Sequence, residues 1–125
     1  MSRILIVEDN AMHRRLVRDI LRPRGHELLE AETIDAGRAL LAGEPPDLVL
    51  LDVHVTGGGG ETLLREIRAD ARLAGLPVVA VTAQAMRGDR ERLLSAGFDG
   101  YVSKPISARN FGAEIEAYIH RELPR

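Results

Sequence analysis

The chain has no cysteine, no excess of basic residues and no apolar run long enough to cross a bilayer. Without cysteine there is no disulfide framework, no thiolate zinc site and no thiol nucleophile, a usage that suits a reducing cytoplasm. Lys and Arg number 17 against 19 Asp and Glu, giving a formal net charge of −2 and a pI near 6.1. That balance argues against nucleic-acid binding, which draws on clustered positive charge. The N-terminal MSRILIVEDN carries only a short apolar stretch, ended at once by Glu8 and Asp9. Neither a signal peptide nor a membrane span is expected, and the chain reads as cytoplasmic.

What is present fits one ordinary domain: 125 residues, 45% hydrophobic and 29% charged. Such a length supports one core and leaves little for a second module, so effector function is expected in another polypeptide. Five strand-length apolar runs punctuate the chain, at Arg3–Val7, Glu27–Ala31, Leu48–Leu51, Val78–Val81 and, more weakly, Tyr101–Ser103. The first, third and fourth are nearly continuous in Ile, Leu and Val, the pattern of strands covered on both faces in a parallel sheet.

Helical segments lie between them. Asn10 can cap a helix with Met12, Leu16, Val17, Ile20 and Leu21 on one stripe, ended by Pro23 and Gly25. Thr33 can cap a second, with Ala36, Ala39 and Leu40 turned inward and Gly43, Pro45 and Pro46 closing it. A third is expected from about Glu61 to Ala69 on Leu63, Leu64 and Ile67, and a fourth from Asp89 to Ser95, stopped by Gly97. The last spans about Ala108 to Glu122, with Phe111, Ile115 and Ile119 spaced four apart. Five βα units in a row, joined by right-handed crossovers, make an α/β fold: a doubly wound, five-stranded parallel sheet with five helices on its two faces.

In such sheets ligands bind at the C-terminal ends of the strands, so the residues that end them carry the functional argument. The first strand ends in Glu8-Asp9, the third in Asp52 and the fourth in Thr82-Ala83, while the fifth leads into Lys104-Pro105. Three carboxylates gathered at one edge repel one another and raise each other's pKa unless a cation neutralises them. All the candidate ligands are oxygens, with no Cys and no neighbouring His pair, so a hard cation is expected; Mg²⁺ fits a site that keeps waters and shares phosphate oxygens. Lys104 supplies a compact positive charge for a phosphate oxygen, and the Thr82 hydroxyl and Ala83 N–H supply donors. Together these residues make a place for a phosphoryl group beside a metal.

This constellation resembles that of bacterial two-component response-regulator receiver domains, of the CheY-like superfamily, over essentially the whole chain. The stretch AQAMRGDRERLLSAGFDGYVSKPIS is similar to the stand-alone members of that family. The resemblance implies a flavodoxin-like sheet of order 2-1-3-4-5, a receiver over residues 1–122, a short tail at 123–125 and no effector domain. It implies Asp52 as phosphoacceptor, with Asp9, Glu8 and the His54 backbone carbonyl as its companions at a Mg²⁺ site. Thr82, Ala83 and Lys104 would serve the phosphoryl group, and the Lys104-Pro105 bond would be cis. Thr82 and Tyr101 would be the switch pair, reporting phosphorylation to the surface of the fourth helix, fifth strand and fifth helix.

The implied function is a phosphorelay switch rather than a turnover enzyme. Its partners would be a histidine kinase or histidine phosphotransfer protein and a downstream protein target, without direct DNA binding or membrane association, the chain itself being a monomer or weak homodimer. Three other readings compete. Asp52-Val53-His54-Val55-Thr56 partly resembles the D-x-D-x-T motif of haloacid-dehalogenase-type phosphatases, but its second Asp is His54 and it sits on the third strand. A phosphorylation-independent adaptor of the same fold is the second, and a receiver cut from a larger hybrid kinase or regulator the third. His13, His26 and His120 are scattered and receive no function.

One departure from the family pattern follows the phosphoacceptor, where an apolar residue and then proline are usual. Here Val55 precedes Thr56, and Gly57 to Gly60 form a run that lacks phosphate-loop spacing. The missing proline and added glycines raise the conformational entropy of a segment beside the metal site, so a lower metal affinity is expected.

Overall fold

A computed structural model describes residues 2–53, 59–82 and 89–120. Five parallel strands form one sheet: β1 (Arg3–Val7), β2 (Glu27–Ala31), β3 (Leu48–Asp52), β4 (Val78–Thr82) and β5 (Gly100–Ser103). Their order is β2-β1-β3-β4-β5, as the family resemblance implies. The helices are α1 (Ala11–Leu21), α2 (Ile34–Leu41), α3 (Gly60–Ala69), α4 (Asp89–Ala96) and α5 (Phe111–His120).

Every residue of β3 and β4 is buried, which is why LVLLD and VVAVT do not alternate with polar residues. Successive side chains still point to opposite faces. Leu5, Val7, Val49, Leu51, Val78 and Ala80 meet Ile34 and Leu41 of α2, Leu63, Leu64 and Ile67 of α3, and Leu93 of α4. Ile4, Ile6, Leu48, Leu50, Val79 and Val81 meet Val17 and Leu21 of α1 and Phe111 and Ile115 of α5. Each fully buried Leu or Ile contributes about 1.5–3 kcal/mol, so the two layers hold the strand ends in fixed relation.

The phase of α2 differs from the sequence expectation. Ala36, Ala39 and Leu40 face outward, and the buried stripe is Ile34, Gly37 and Leu41. The reason is Gly37, whose missing side chain lets the helix approach the sheet: a Cβ there would stand 3.0 Å from Val7 Cγ2 and 3.4 Å from Leu63 Cδ2. A contact made by an absent side chain leaves no apolar residue to count. Met12, placed on the inward stripe of α1 by its spacing, is 80% exposed. The expected caps do form: Asn10 Oδ1 accepts from the Met12 and His13 N–H groups at 2.9 and 3.2 Å, and Thr33 Oγ1 from Ala36 N–H at 3.0 Å.

α5 begins at Phe111 rather than Ala108, because Ser107 O takes the Asn110 and Phe111 N–H groups in a turn ahead of the helix. Residues 121 and 122 lie outside the described residues. Arg68, at the end of α3, binds the base of the sheet together: its guanidinium donates to the carbonyls of Gly97, Ala74 and Leu76 and to the Asp99 carboxylate. Asp99 in turn accepts from Val78 N–H at 2.8 Å, which fixes where β4 enters.

Candidate functional site

The strand register brings the predicted residues to one edge. Asp52 pairs with Val81, and Thr82 with Ser103, so Asp52, Thr82 and Lys104 follow one another across β3, β4 and the end of β5. Glu8 continues β1, its N–H donating to Ala31 O at 2.9 Å. Gly60 closes the α3 side: a Cβ there would stand 2.9 Å from Asp52 O and 3.0 Å from Val53 Cα, so only glycine lets α3 start this close to the end of β3. Gly59 before it has φ +84°, a left-handed value that also favours glycine. The last two glycines of the run therefore have defined work.

Glu8, Asp52 and Thr82 are all buried, and the ligand atoms of Glu8, Asp9 and Asp52 lie within 4.8 Å of one another. Lys104 Nζ enters this cluster, 2.7 Å from Glu8 Oε1 and 3.4 Å from Asp52 Oδ2. Its backbone is anchored too, the Lys104 N–H donating to Thr82 O at 2.8 Å, and the Lys104–Pro105 bond is cis. Glu8 is held further by Asn10 N–H on Oε2 at 3.1 Å, while Arg14 Nη1 donates to its carbonyl at 2.8 Å.

Burial first, then a hydrogen bond to Asp52, push the Glu8 carboxyl above the usual carboxylate range; Lys104 and the Asn10 N–H pull against that, and the Asp52 charge adds to the rise. A buried carboxyl raised in this way, as Glu8 is, is one that a neighbouring cation relieves. Oxygen-only donors of this density fit Mg²⁺, and Glu8, Asp9 and Asp52 are the described side chains that could hold it.

Tyr101 is half-buried and packs against the core layer shared by α2, α3 and α4. The predicted His54 carbonyl, the Ala83 N–H and the Val55-Thr56 departure fall outside the described residues. One neighbour was not predicted: His13 Nδ1 stands 3.5 Å from Glu8 Oε1. The signal available was its place three residues after the Asn10 cap, which puts it in the first turn of α1 over the end of β1.

A doubly wound sheet of this order, with buried carboxylates, a threonine and a lysine at its C-terminal edge, defines a receiver-type phosphoacceptor fold. Residues 4–116 match the response regulator receiver domain family, and the chain belongs to it. It is a receiver domain of the two-component phosphorelay class, a class in which phosphorylation and Mg²⁺ binding at an acidic pocket are typical. The polar-differentiation response regulator DivK of Brucella ovis is 35% identical over 116 residues, covering 93% of this chain and 94% of that protein. The receiver domain of sensor histidine kinase PA1611 from Pseudomonas aeruginosa PAO1, solved with a magnesium ion coordinated in its active site cleft, is 28% identical with a TM-score of 0.86, covering 95% of this chain and 98% of that one. A CheY-like response regulator receiver domain protein from Methanospirillum hungatei JF-1 is 28% identical with a TM-score of 0.86, covering 98% and 96%. The family match leaves the phosphatase reading of residues 52–56 without support.

Proposed function

We propose that this receiver takes a phosphoryl group onto Asp52 and uses it to switch a protein-binding surface. The observation that carries the reading is the convergence of Asp52, Glu8, Asp9, Thr82 and Lys104 at one sheet edge, with the Lys104 ammonium among the carboxylates. An Asp52 carboxylate oxygen attacks the phosphorus of a phosphohistidine on a histidine kinase or phosphotransfer protein. The P–N bond breaks, its electron pair stays with the donor imidazole, and an acyl phosphate forms. Lys104 offsets charge on the transferred oxygens, and the Thr82 hydroxyl and Ala83 N–H donate to them. Glu8, Asp9, Asp52 and the His54 carbonyl would hold Mg²⁺, which supplies charge neutralisation for the phosphoryl group when bound. Water attack on the phosphorus later frees inorganic phosphate and restores the Asp52 carboxylate, so the chain acts as a resettable switch, not a turnover enzyme.

The new negative charge draws Thr82 toward Asp52 and favours the conformer with Tyr101 fully inward, a shift between existing states. Its half-buried position supports that reading, since a short movement completes the burial. The receiver unit is residues 1–122, and its output is read as a cytoplasmic protein partner rather than DNA, in keeping with 17 Lys and Arg against 19 Asp and Glu. The chain works as a monomer or weak homodimer. Among the described residues no helix is long and apolar enough to cross a membrane.

The test is beryllofluoride, which stands in for the phosphoryl group on the acceptor carboxylate. With Mg²⁺ it should shift the Thr82, Tyr101 and Lys104 amide signals in wild type and not in Asp52→Asn. An unchanged wild-type spectrum would overturn the switch.

A further inference from the structure

Successive side chains on a strand point to opposite faces. Glu8 and Asp9 are successive, yet their ligand oxygens lie, with that of Asp52, within 4.8 Å of one another. The main chain must therefore turn between them, and the peptide unit that joins them is the one whose carbonyl is Glu8 O. The β1–β2 register ends at the Val7–Ala31 pair, and beyond it this carbonyl accepts from Arg14 Nη1 at 2.8 Å. The guanidinium is itself fixed from the β2 side. Its Nη2 donates to Glu32 Oε1 at 3.2 Å, its Nε stands 3.6 Å from Glu30 Oε1, and the side chain is only 12% exposed. The Arg14 N–H donates to Asn10 O at 3.1 Å, which fixes the backbone below it in the first turn of α1.

We infer that Arg14 is a positioning residue of the metal site, clamping the Glu8–Asp9 peptide so that both carboxylates face one ion. The inference rests on the proposed function, in which Glu8, Asp9 and Asp52 hold Mg²⁺. A guanidinium is a planar fork, so one nitrogen can hold the carbonyl while another is held by Glu32. Groups that orient ligands in this way govern ion affinity without touching the ion. Arg14 acts on Mg²⁺ binding in two opposed senses. Its positive charge near the carboxylates repels a cation, whereas the clamp pre-organises two ligands that would otherwise have to be ordered on binding. The clamp dominates, because the charge is already offset by Glu30 and Glu32, while the carbonyl it holds belongs to the peptide joining the two ligand residues.

The test titrates Mg²⁺ into full-length wild type, Arg14→Met, Arg14→Lys and Arg18→Met, read by the amide spectrum with no phosphodonor present. Methionine keeps the helix and an apolar stem and donates nothing; lysine keeps the charge and loses the fork. Arg18→Met is the charge control, since it removes from the same helix a cation bound to Glu30 at 3.0 Å. The Mg²⁺ dissociation constant should rise roughly three- to tenfold in both Arg14 variants, the range one net hydrogen bond supplies. In Arg18→Met it should fall or stay within about twofold of wild type, as the loss of a partly exposed charge requires. The Asp9 amide signal, whose N–H belongs to the clamped peptide, should shift in the ion-free Arg14 variants and not in Arg18→Met. Wild-type or tighter Mg²⁺ binding in either Arg14 variant overturns the clamp, because loss of a bare positive charge would tighten binding and never weaken it. An Arg18→Met chain weakened as much as Arg14→Met overturns it too. Should Arg14→Met not fold, Arg14→Lys decides alone. A wild-type chain that binds no Mg²⁺ overturns the proposed metal site, and this inference with it.

Discussion

Lys104 is ion-paired to Glu8 at 2.7 Å, inside the carboxylate cluster that is the candidate cation site. The ammonium and a divalent cation therefore act on the same carboxylates. Removing the ammonium should tighten Mg²⁺ binding and at the same time slow phosphoryl acceptance. For Lys104→Gln we expect Mg²⁺ affinity to rise roughly tenfold, about 1.4 kcal/mol, which is modest for one charge at this range in a partly buried site. Mg²⁺ should also raise the melting temperature of Lys104→Gln more than that of wild type. Titration calorimetry and melting curves with and without Mg²⁺ check both, and an affinity unchanged or weakened in the variant contradicts the competition.

The start of α3 should tolerate no side chain. In Gly60→Ala the added methyl meets the Asp52 carbonyl and Val53 Cα, both backbone, so α3 or the end of β3 must shift. A cost of about 1–3 kcal/mol is expected, the range for overpacking a tight site. Because the displaced backbone is that of Asp52, acetyl phosphate labelling should fall as well. Denaturant unfolding with a parallel labelling assay decides it; a variant as stable and as active as wild type would show the approach to be slack.

A pH effect should arise far from the acceptor. Arg24 grips Glu116 with two hydrogen bonds of 2.7 Å, and His26 Nε2 lies 2.9 Å from the same carboxylate, joining the connection between α1 and β2 to α5. Arg24 first, then His26, lowers the Glu116 pKa from 4.5 to about 2. A folded pKa below the unfolded one stabilises the fold above the unfolded value, and the gain is lost as pH falls from about 4.5 towards 2. Glu116→Gln should therefore melt roughly 2–4 °C below wild type at pH 7, the scale of a well-formed but partly exposed pair, with the gap shrinking steadily below pH 4.5. A gap that persists unchanged at pH 2.5 would assign the effect to packing instead.

The sheet and its acceptor edge are legible in the sequence for a physical reason. Strands buried on both faces must be continuously apolar, so the first polar residue after each run marks its end, and Glu8, Asp52 and Thr82 stand out at once. What is not legible is contact made through absence or through rotation. Gly37 sets the phase of α2 by having no side chain, and Gly60 admits α3 to the end of β3 in the same way. His13 belongs to the site because the first turn of α1 aims it back over β1, a direction that no spacing between histidines records.

The central claim is tested most directly by the bond itself. Purified chain incubated with Mg²⁺ and acetyl phosphate should gain one phosphoryl group, on a linkage that hydroxylamine cleaves, with the modified peptide containing Asp52. EDTA should abolish the label, and Asp52→Asn should lack it while keeping the wild-type melting profile. A label that survives in Asp52→Asn, or that forms equally in EDTA, would contradict the account.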